Sequence, residues 1–207
     1  MTHAAGHHAG AAIVRVFAAL FLTTILVFGC SRDESSSASI TSTETAAPPA
    51  AVPAPVPYDL LFLDTMSKHH QGAVDMAEAA KGKITNRQLK AMVEKMPAAQ
   101  QKEIDQMKSW RDQWYPGAAP AENMSMPGMD ASMTMDMSPM MTMKAGTGYD
   151  VMFIDMMVPH HQGAVTMSQD ALAKAEHPEL RTLAQSIIDE QQKEIVQMNR
   201  WKAAWRR

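Results

Sequence analysis

The stretch His69-His70-Gln71-Gly72-Ala73-Val74 recurs 91 residues later as His160-His161-Gln162-Gly163-Ala164-Val165. The same offset, without a gap, aligns residues 58–114 with residues 149–205, and 24 of the 57 aligned positions are identical. The sequence is therefore that of a duplicated unit. Each copy carries two adjacent imidazoles in otherwise apolar surroundings, and these are the first candidates for a functional site.

Each copy begins with a predicted amphipathic helix, over about 58–81 in the first copy and 149–174 in the second. Its apolar residues are three or four positions apart, which is the spacing of one helix face. That face consists of Phe62, Met66, His69, Ala73, Met76 and Ala80 in the first copy, and of Phe153, Met157, His160, Ala164, Met167 and Ala171 in the second. The second histidine of each pair borders the same face. Gly72 and Gly163 are expected to permit close helix approach.

A second helix is predicted in each copy, beginning near Asn86 or at His177-Pro178, because proline suits the first helical position. Its apolar seam is interrupted in each copy by a glutamine and a glutamate, which are Gln100 and Glu103, and Gln191 and Glu194. A carboxylate in a seam is unfavourable unless it has a partner. An imidazole of the first helix is the nearest candidate.

Neither of the two helical hairpins, 58–115 and 149–207, can bury its apolar seam alone. The sequence therefore predicts an all-α fold, an antiparallel four-helix bundle built from the two duplicated hairpins. The alternative is a homo-oligomer in which hairpins pair between chains. The tryptophan pairs Trp110/Trp114 and Trp201/Trp205 are expected to pack in the core or at the bundle ends.

The four paired histidines are candidate metal ligands, together with methionines a turn or two away on the same helices. The predicted ligand set is His69, His70, His160, His161, Met66, Met76, Met157 and Met167. Glu103 and Glu194 complete the site, either as ligands or as acceptors that orient the imidazoles. The alternative is that His–Glu hydrogen bonds fix the helix register in a core without metal.

The two copies differ near the histidines. Pro159 precedes the second pair, whereas Lys68 stands at that position in the first copy, and Ala99 stands where the second copy has Glu190. The second copy thus keeps the fuller polar set. If only one copy is active, we expect it to be the second.

The connector, residues 116–148, has nine methionines within 124–143 and no Leu, Ile, Val or Phe in that stretch. Lacking apolar periodicity, it is predicted to be flexible and outside the core. Thioethers are soft, neutral donors suited to Cu(I) and Ag(I). The spacing predicts that a flexible run wraps two or three sulfurs around one ion. The candidate ligands are Met133, Met135, Met137, Met140, Met141 and Met143. A compositionally biased linker or an oxidant sink is the alternative.

The N-terminal region indicates export. Residues 1–30 contain an apolar stretch that ends in a lipobox-like site at Cys30, which is typical of a lipid-anchored protein. Residues 31–57, rich in Ser, Thr, Ala and Pro, are predicted to be a tether. An uncleaved membrane anchor is the alternative, and both place the folded part outside the cytoplasm. The net charge of −3 gives no attraction to nucleic acid.

The two His-His-Gln-Gly-Ala runs, with the Gln-x-x-Glu-Ile segments ending at Ile104 and Ile195, resemble the bacterial secreted domain-of-unknown-function family 305. The resemblance implies a ferritin-like fold and an association with extracytoplasmic copper binding through the paired histidines and nearby methionines. That family usually has proline before the histidine pair, as at Pro159, so Lys68 is a departure from its pattern.

The sequence thus predicts a membrane-tethered, extracytoplasmic copper-binding protein that sequesters or delivers Cu(I), with Ag(I) or Zn(II) as alternative ions. A copper-donating or copper-accepting protein is the expected partner. We expect no enzymatic activity, because the Glu-x-x-His pairs of a ferritin-like di-metal oxidase are absent from the helices. That oxidase is the enzymatic alternative. A structural interaction module with core histidines is the third hypothesis.

Overall fold

The computed structural model describes residues 55–121, 124–129 and 135–205. The predicted signal, Cys30, most of the tether and Met133 lie outside these ranges. The helices within them are α1 (Tyr58–Ala80), α2 (Arg87–Trp114), α3 (Ser138–Thr142), α4 (Thr147–Lys174) and α5 (Pro178–Trp205). The described residues form no strand, so the predicted all-α fold is confirmed.

The four long helices form two antiparallel hairpins that meet through α1 and α4. In the first hairpin, Asp64 pairs with Arg111 while the later residue His70 pairs with the earlier residue Glu103. The second hairpin has the same order of contacts between α4 and α5. Across the hairpins, Tyr58 donates to Asp170 and His69 lies against His160, so α1 and α4 are also antiparallel.

Two buried aspartates join the hairpins reciprocally. Asp59 at the start of α1 accepts hydrogen bonds from the backbone N–H groups of Glu176 and His177, just before α5. Asp150 near the start of α4 accepts from the backbone N–H groups of Thr85 and Asn86, just before α2. Each carboxylate therefore satisfies backbone donors in the other hairpin at a helix start, where such donors lack helical partners.

The apolar core is divided into two clusters along the bundle. One contains Met76, Ala80, Tyr149, Phe153 and Met157 among its members. The other contains Phe62, Met66, Ile104, Met167 and Ala171. Along α1 and along α4 the histidine pair falls between the residues of one cluster and those of the other. The histidines thus lie at a polar layer between two apolar regions.

The connector departs from its prediction, because part of it is core. Met126 and Met129 are 4% exposed and belong to the cluster around Met66, while Met140 on α3 is fully buried against the other cluster. Lys83 donates to the carbonyl oxygen of Met140, which ties α3 to the end of the first hairpin. The expectation that no connector methionine packs in the core is wrong for these three residues.

Candidate metal site

The site is a polar layer formed by equivalent residues of the two hairpins, namely His69, His70, Gln100, Glu103, His160, His161, Gln191 and Glu194. All four histidines and both glutamines are buried. The histidines are on α1 and α4, and the glutamines and glutamates are on α2 and α5. The layer therefore draws side chains from all four long helices.

The outer pair of this layer consists of His70 and His161, and each ring is hydrogen-bonded to a glutamate of its own hairpin. His70 Nε2 lies 2.8 Å from Glu103 Oε2, and His161 Nε2 lies 2.7 Å from Glu194 Oε2. A carboxylate only accepts hydrogen bonds, so a neutral ring carries its proton on Nε2. The Nδ1 lone pair then points away from the glutamate and is available to a ligand. This is the arrangement in which a carboxylate orients a metal-binding imidazole.

The inner pair, His69 and His160, lies between the hairpins. The two rings are 3.8 Å apart between centroids and tilted by 36°. The sequence suggested one site for each copy, but the structure brings the first histidine of each copy together in a single shared layer. That contact depends on the packing of α1 against α4, to which no local sequence pattern points.

The histidine ring nitrogens are largely without partners. Nine buried side-chain polar atoms lack a hydrogen-bond partner among the described residues, and seven of them belong to the histidines and glutamines of the polar layer. They include both ring nitrogens of His69 and the Nδ1 atoms of the other three histidines. Leaving such a group unpaired costs roughly 1–3 kcal/mol. These unpaired buried atoms are thus concentrated in the polar layer.

The inner imidazoles are held in the neutral form. Burial, together with the smaller effects of the neighbouring imidazoles of His161 and His70, lowers the pKa of His160 to about 3. Burial also holds the pKa of His69 far below its ordinary value, and the nearby His160 adds to that effect. Neutral imidazole is the form that binds metal, so no proton has to be displaced from these rings at neutral pH.

Four predicted methionines lie on the two sides of the layer. Met66 and Met167 belong to the cluster that also contains the connector residues Met126 and Met129. Met76 and Met157 belong to the cluster that contains Met140. Each cluster therefore combines methionines of both hairpins with buried methionine from the connector.

The remaining connector methionines are more accessible. Met141 is 73% exposed. Met135, Met137 and Met143 are partly buried against the cluster around Met76. Where the structure describes the chain, no group of three or more His, Cys, Asp or Glu side chains is placed to hold a metal ion. The soft donors near the layer are thioethers.

Two sequence-based expectations about the site are changed. Glu190 is exposed and accepts a hydrogen bond from Ser186, so it is not part of the layer. Glu190 therefore does not make the layer fuller in the second copy, since each copy supplies two histidines, a glutamine and a glutamate to it. The sequence also missed Gly128, which packs directly on Gly163. No pattern around Gly128 distinguishes it from other turn glycines.

Comparison with known proteins assigns the family. The family model described as domain of unknown function (DUF305) matches residues 59–202, which is more than half of the chain. The chain belongs to the DUF305 family. Comparison with curated proteins gives no match.

Solved structures of similar proteins include CopM in several metal-bound forms. The Cu(I)-bound form is 35% identical, with a TM-score of 0.60 and coverage of 71% of this chain and 96% of that one. The silver-bound form obtained by co-crystallisation is 36% identical, with a TM-score of 0.56 and coverage of 71% and 96%. The bundle is thus shared with a protein that has been crystallised with copper and with silver.

A further similar structure is a DUF305 protein from Streptomyces coelicolor that is named as a candidate secreted protein. It is 27% identical, with a TM-score of 0.62 and coverage of 72% of this chain and 92% of that one. In this chain, none of the described helices has the length and hydropathy needed to cross a bilayer.

Proposed function

We propose that this protein binds copper outside the cytoplasm and sequesters or delivers it as Cu(I). The ion is held by the polar layer and its flanking methionines, and the connector supplies further thioethers. The observation that carries the proposal is the inner pair, because His69 has no partner for either ring nitrogen although it is 1% exposed. In a metal-free core the outer pair has its glutamates, whereas the inner rings have only weak interactions with each other's backbone.

The chemistry of the layer favours a soft monovalent ion. Imidazole suits several transition metals, whereas thioethers select Cu(I) and other soft ions. Neutral imidazoles of the inner pair lie between clusters that contain Met66, Met76, Met157 and Met167. In this proposal Glu103 and Glu194 orient the outer rings. Support from similar proteins is that CopM has been crystallised with Cu(I), Cu(II) and silver.

The connector acts as the outer collecting segment. The exposed Met141, with the partly buried Met135, Met137 and Met143, offers thioethers near the bundle surface. Met133 belongs to the same proposed set, although it lies outside the described residues. Binding through thioethers releases no proton, so capture by the connector is expected to persist in acidic surroundings.

Competition with a Cu(I) chelator tests the proposal. The wild type is expected to retain at least one Cu(I) per chain against micromolar chelator, and replacing all four layer histidines by glutamine should remove that ion. His177→Gln is the matched control, because His177 is bonded to Asp59 and stacked on Trp114, away from the layer. Uptake below one ion by the wild type, or equal uptake by both variants, would reject the proposal.

The proposed role is binding rather than catalysis. Metal-dependent oxidation of Fe(II) or Cu(I) by the purified protein would replace it with the di-metal oxidase hypothesis. Identical melting of the wild type with and without Cu(I) would favour the structural module instead.

Attachment to the membrane through a lipid on Cys30 is part of the same proposal. Cys30→Ser should then move the protein from the membrane fraction to the soluble fraction. Unchanged fractionation would reject the anchor without affecting copper binding.

A further inference from the structure

The two glycines of the repeated motif lie where α1 and α4 cross. A Cβ atom added to Gly72 would be 3.1 Å from His160 Nε2, and one added to Gly163 would be 3.1 Å from His69 Nε2. Each inner ring thus reaches over the glycine of the opposite hairpin. The prediction that these glycines permit close approach is confirmed, and the two positions are equivalent in the bundle.

The two glycines differ in what covers them. The methionine turn, Met126–Met129, lies on Gly163, and a Cβ atom on Gly163 would be 2.5 Å from the carbonyl oxygen of Gly128. A Cβ atom on Gly128 would meet the Gly163 carbonyl oxygen at 2.5 Å and Thr166 Cβ at 2.9 Å. Gly128 has φ +90°. Only a glycine at position 128 fits against Gly163, and this contact leaves Gly163 buried.

Gly72 has no such cover in the described part of the chain. Outside the backbone of α1, His160 Nε2 is the one atom within 4 Å of its Cβ position, and Gly72 is half-buried. The surface positions one turn to either side carry Lys68 and Asp75, both exposed, where the second copy has Pro159 and Thr166. Charged side chains suit a face that stays in water.

We propose that the ion reaches and leaves the inner pair through the partly exposed surface at Gly72, here called the gap, while the methionine turn closes the equivalent route over Gly163. This inference rests on the proposed copper-binding function. His160 Nε2 is the ring atom at the Gly72 Cβ position, so the ion meets this atom first. Lys68 beside the gap favours exchange with an anionic carrier of the ion.

Filling the gap tests the route. Gly72→Leu should slow transfer of Cu(I) from the loaded protein to bathocuproine disulfonate by about tenfold or more, equivalent to roughly 1.4 kcal/mol of barrier. Equilibrium affinity is measured in parallel, because the leucine side chain would begin 3.1 Å from His160 Nε2. A loss of affinity as large as the loss of rate would show a damaged site and would overturn the route. Stopped-flow absorbance measures the rate. A transfer rate equal to that of the wild type would overturn the proposed route.

Displacing the methionine turn gives the complementary test. Gly128→Ala should accelerate transfer and should restore it in the Gly72→Leu background, because the added methyl group cannot fit against Gly163. Gly117→Ala is the matched control, since Gly117 has φ +75° and nothing within 4 Å of its Cβ position. Equal effects of the two alanine variants would mean that backbone strain, rather than an opened route, changed the rate, and would overturn the role of the turn.

A charge reversal keeps the proposal testable if Gly72→Leu does not fold. Lys68→Glu should slow transfer to the anionic chelator at low salt, whereas Lys90→Glu should not. Lys90 lies 13 residues from Glu103 on α2, or about 20 Å along the helix axis. Equal rates in the two variants would overturn the route. Absence of Cu(I) binding by the wild type would instead reject the proposed function itself.

Discussion

The outer and inner halves of the polar layer contain the same residue type at the same depth but differ in their partners. His70 and His161 each have a glutamate of their own hairpin within 2.8 Å. His69 and His160 have each other, across the boundary between the hairpins. Hydrogen bonding within a hairpin therefore accounts for the outer pair, whereas the inner rings have only weak interactions with each other's backbone.

This difference separates a structural role from a binding role within one layer. A buried imidazole bonded to a carboxylate fixes helix register and leaves one nitrogen free. Two buried imidazoles that face each other with unpaired nitrogens stabilise the fold little and offer lone pairs to an ion. The outer pair is expected to orient and the inner pair to bind.

Removing the inner rings should have the largest effect. His69→Leu with His160→Leu is expected to lower Cu(I) affinity by about 100-fold or more, or roughly 2.7 kcal/mol. Thermal unfolding of the metal-free protein should be affected less than in His70→Leu with His161→Leu, which leaves two glutamates unpartnered. Chelator competition and melting curves on both variants provide the measurement. Loss of affinity only in the outer variant would reverse the assignment.

Removing the orienting carboxylates should have a smaller effect. Glu103→Ala or Glu194→Ala is expected to lower Cu(I) affinity by about tenfold. Glu103→Gln should recover part of the loss, because its amide oxygen still accepts the Nε2 proton. The same competition assay applies. If one alanine variant loses as much affinity as the inner double variant, the glutamates are direct ligands.

Acidification of the metal-free protein tests the buried neutral rings. Because the pKa of each inner histidine is lowered on folding, protons bind the unfolded chain preferentially below its ordinary pKa of about 6.5. The free energy of unfolding should therefore fall with pH below about 6.5, toward the folded-state pKa of about 3 for His160. Each ring contributes up to about 1.4 kcal/mol per pH unit. Denaturant unfolding at several pH values gives this free energy. It should depend less steeply on pH in the variant with both inner histidines replaced by leucine, and an equal slope would contradict the account.

Removing the accessible connector thioethers should have the smallest effect on tight binding. Serine at Met135, Met137, Met141 and Met143 is expected to reduce the number of weakly held Cu(I) ions and to change the tightest affinity by less than about threefold, or roughly 0.7 kcal/mol. Titration beyond one equivalent measures both quantities. Loss of the tight ion in this variant would move the main site from the bundle to the connector.

The sequence predicted the parts of the molecule that depend on periodicity. The apolar faces around His69 and His160 located α1 and α4, and the seam positions of Glu103 and Glu194 indicated imidazole partners, which the structure confirms. Asn86 caps α2 and Pro178 begins α5, as expected. The stacked tryptophans packed against the core clusters also agree with prediction.

The features that depend on contacts between hairpins could not be predicted. The close contact between the His69 and His160 rings and the reciprocal bonds of Asp59 and Asp150 arise only when α1 lies on α4. The identity of the two aspartates between the copies was the available signal, but it did not reveal their role. Burial of Met140 could not be predicted because a five-residue helix shows no periodicity.

Nitrogen NMR of the histidine side chains tests the central claim most directly. With one equivalent of Ag(I) as a stable substitute for Cu(I), the account predicts that ring-nitrogen resonances of His69 and His160 shift, while those of His177 do not. Shifts confined to methionine methyl groups, with every histidine ring unchanged, would contradict it.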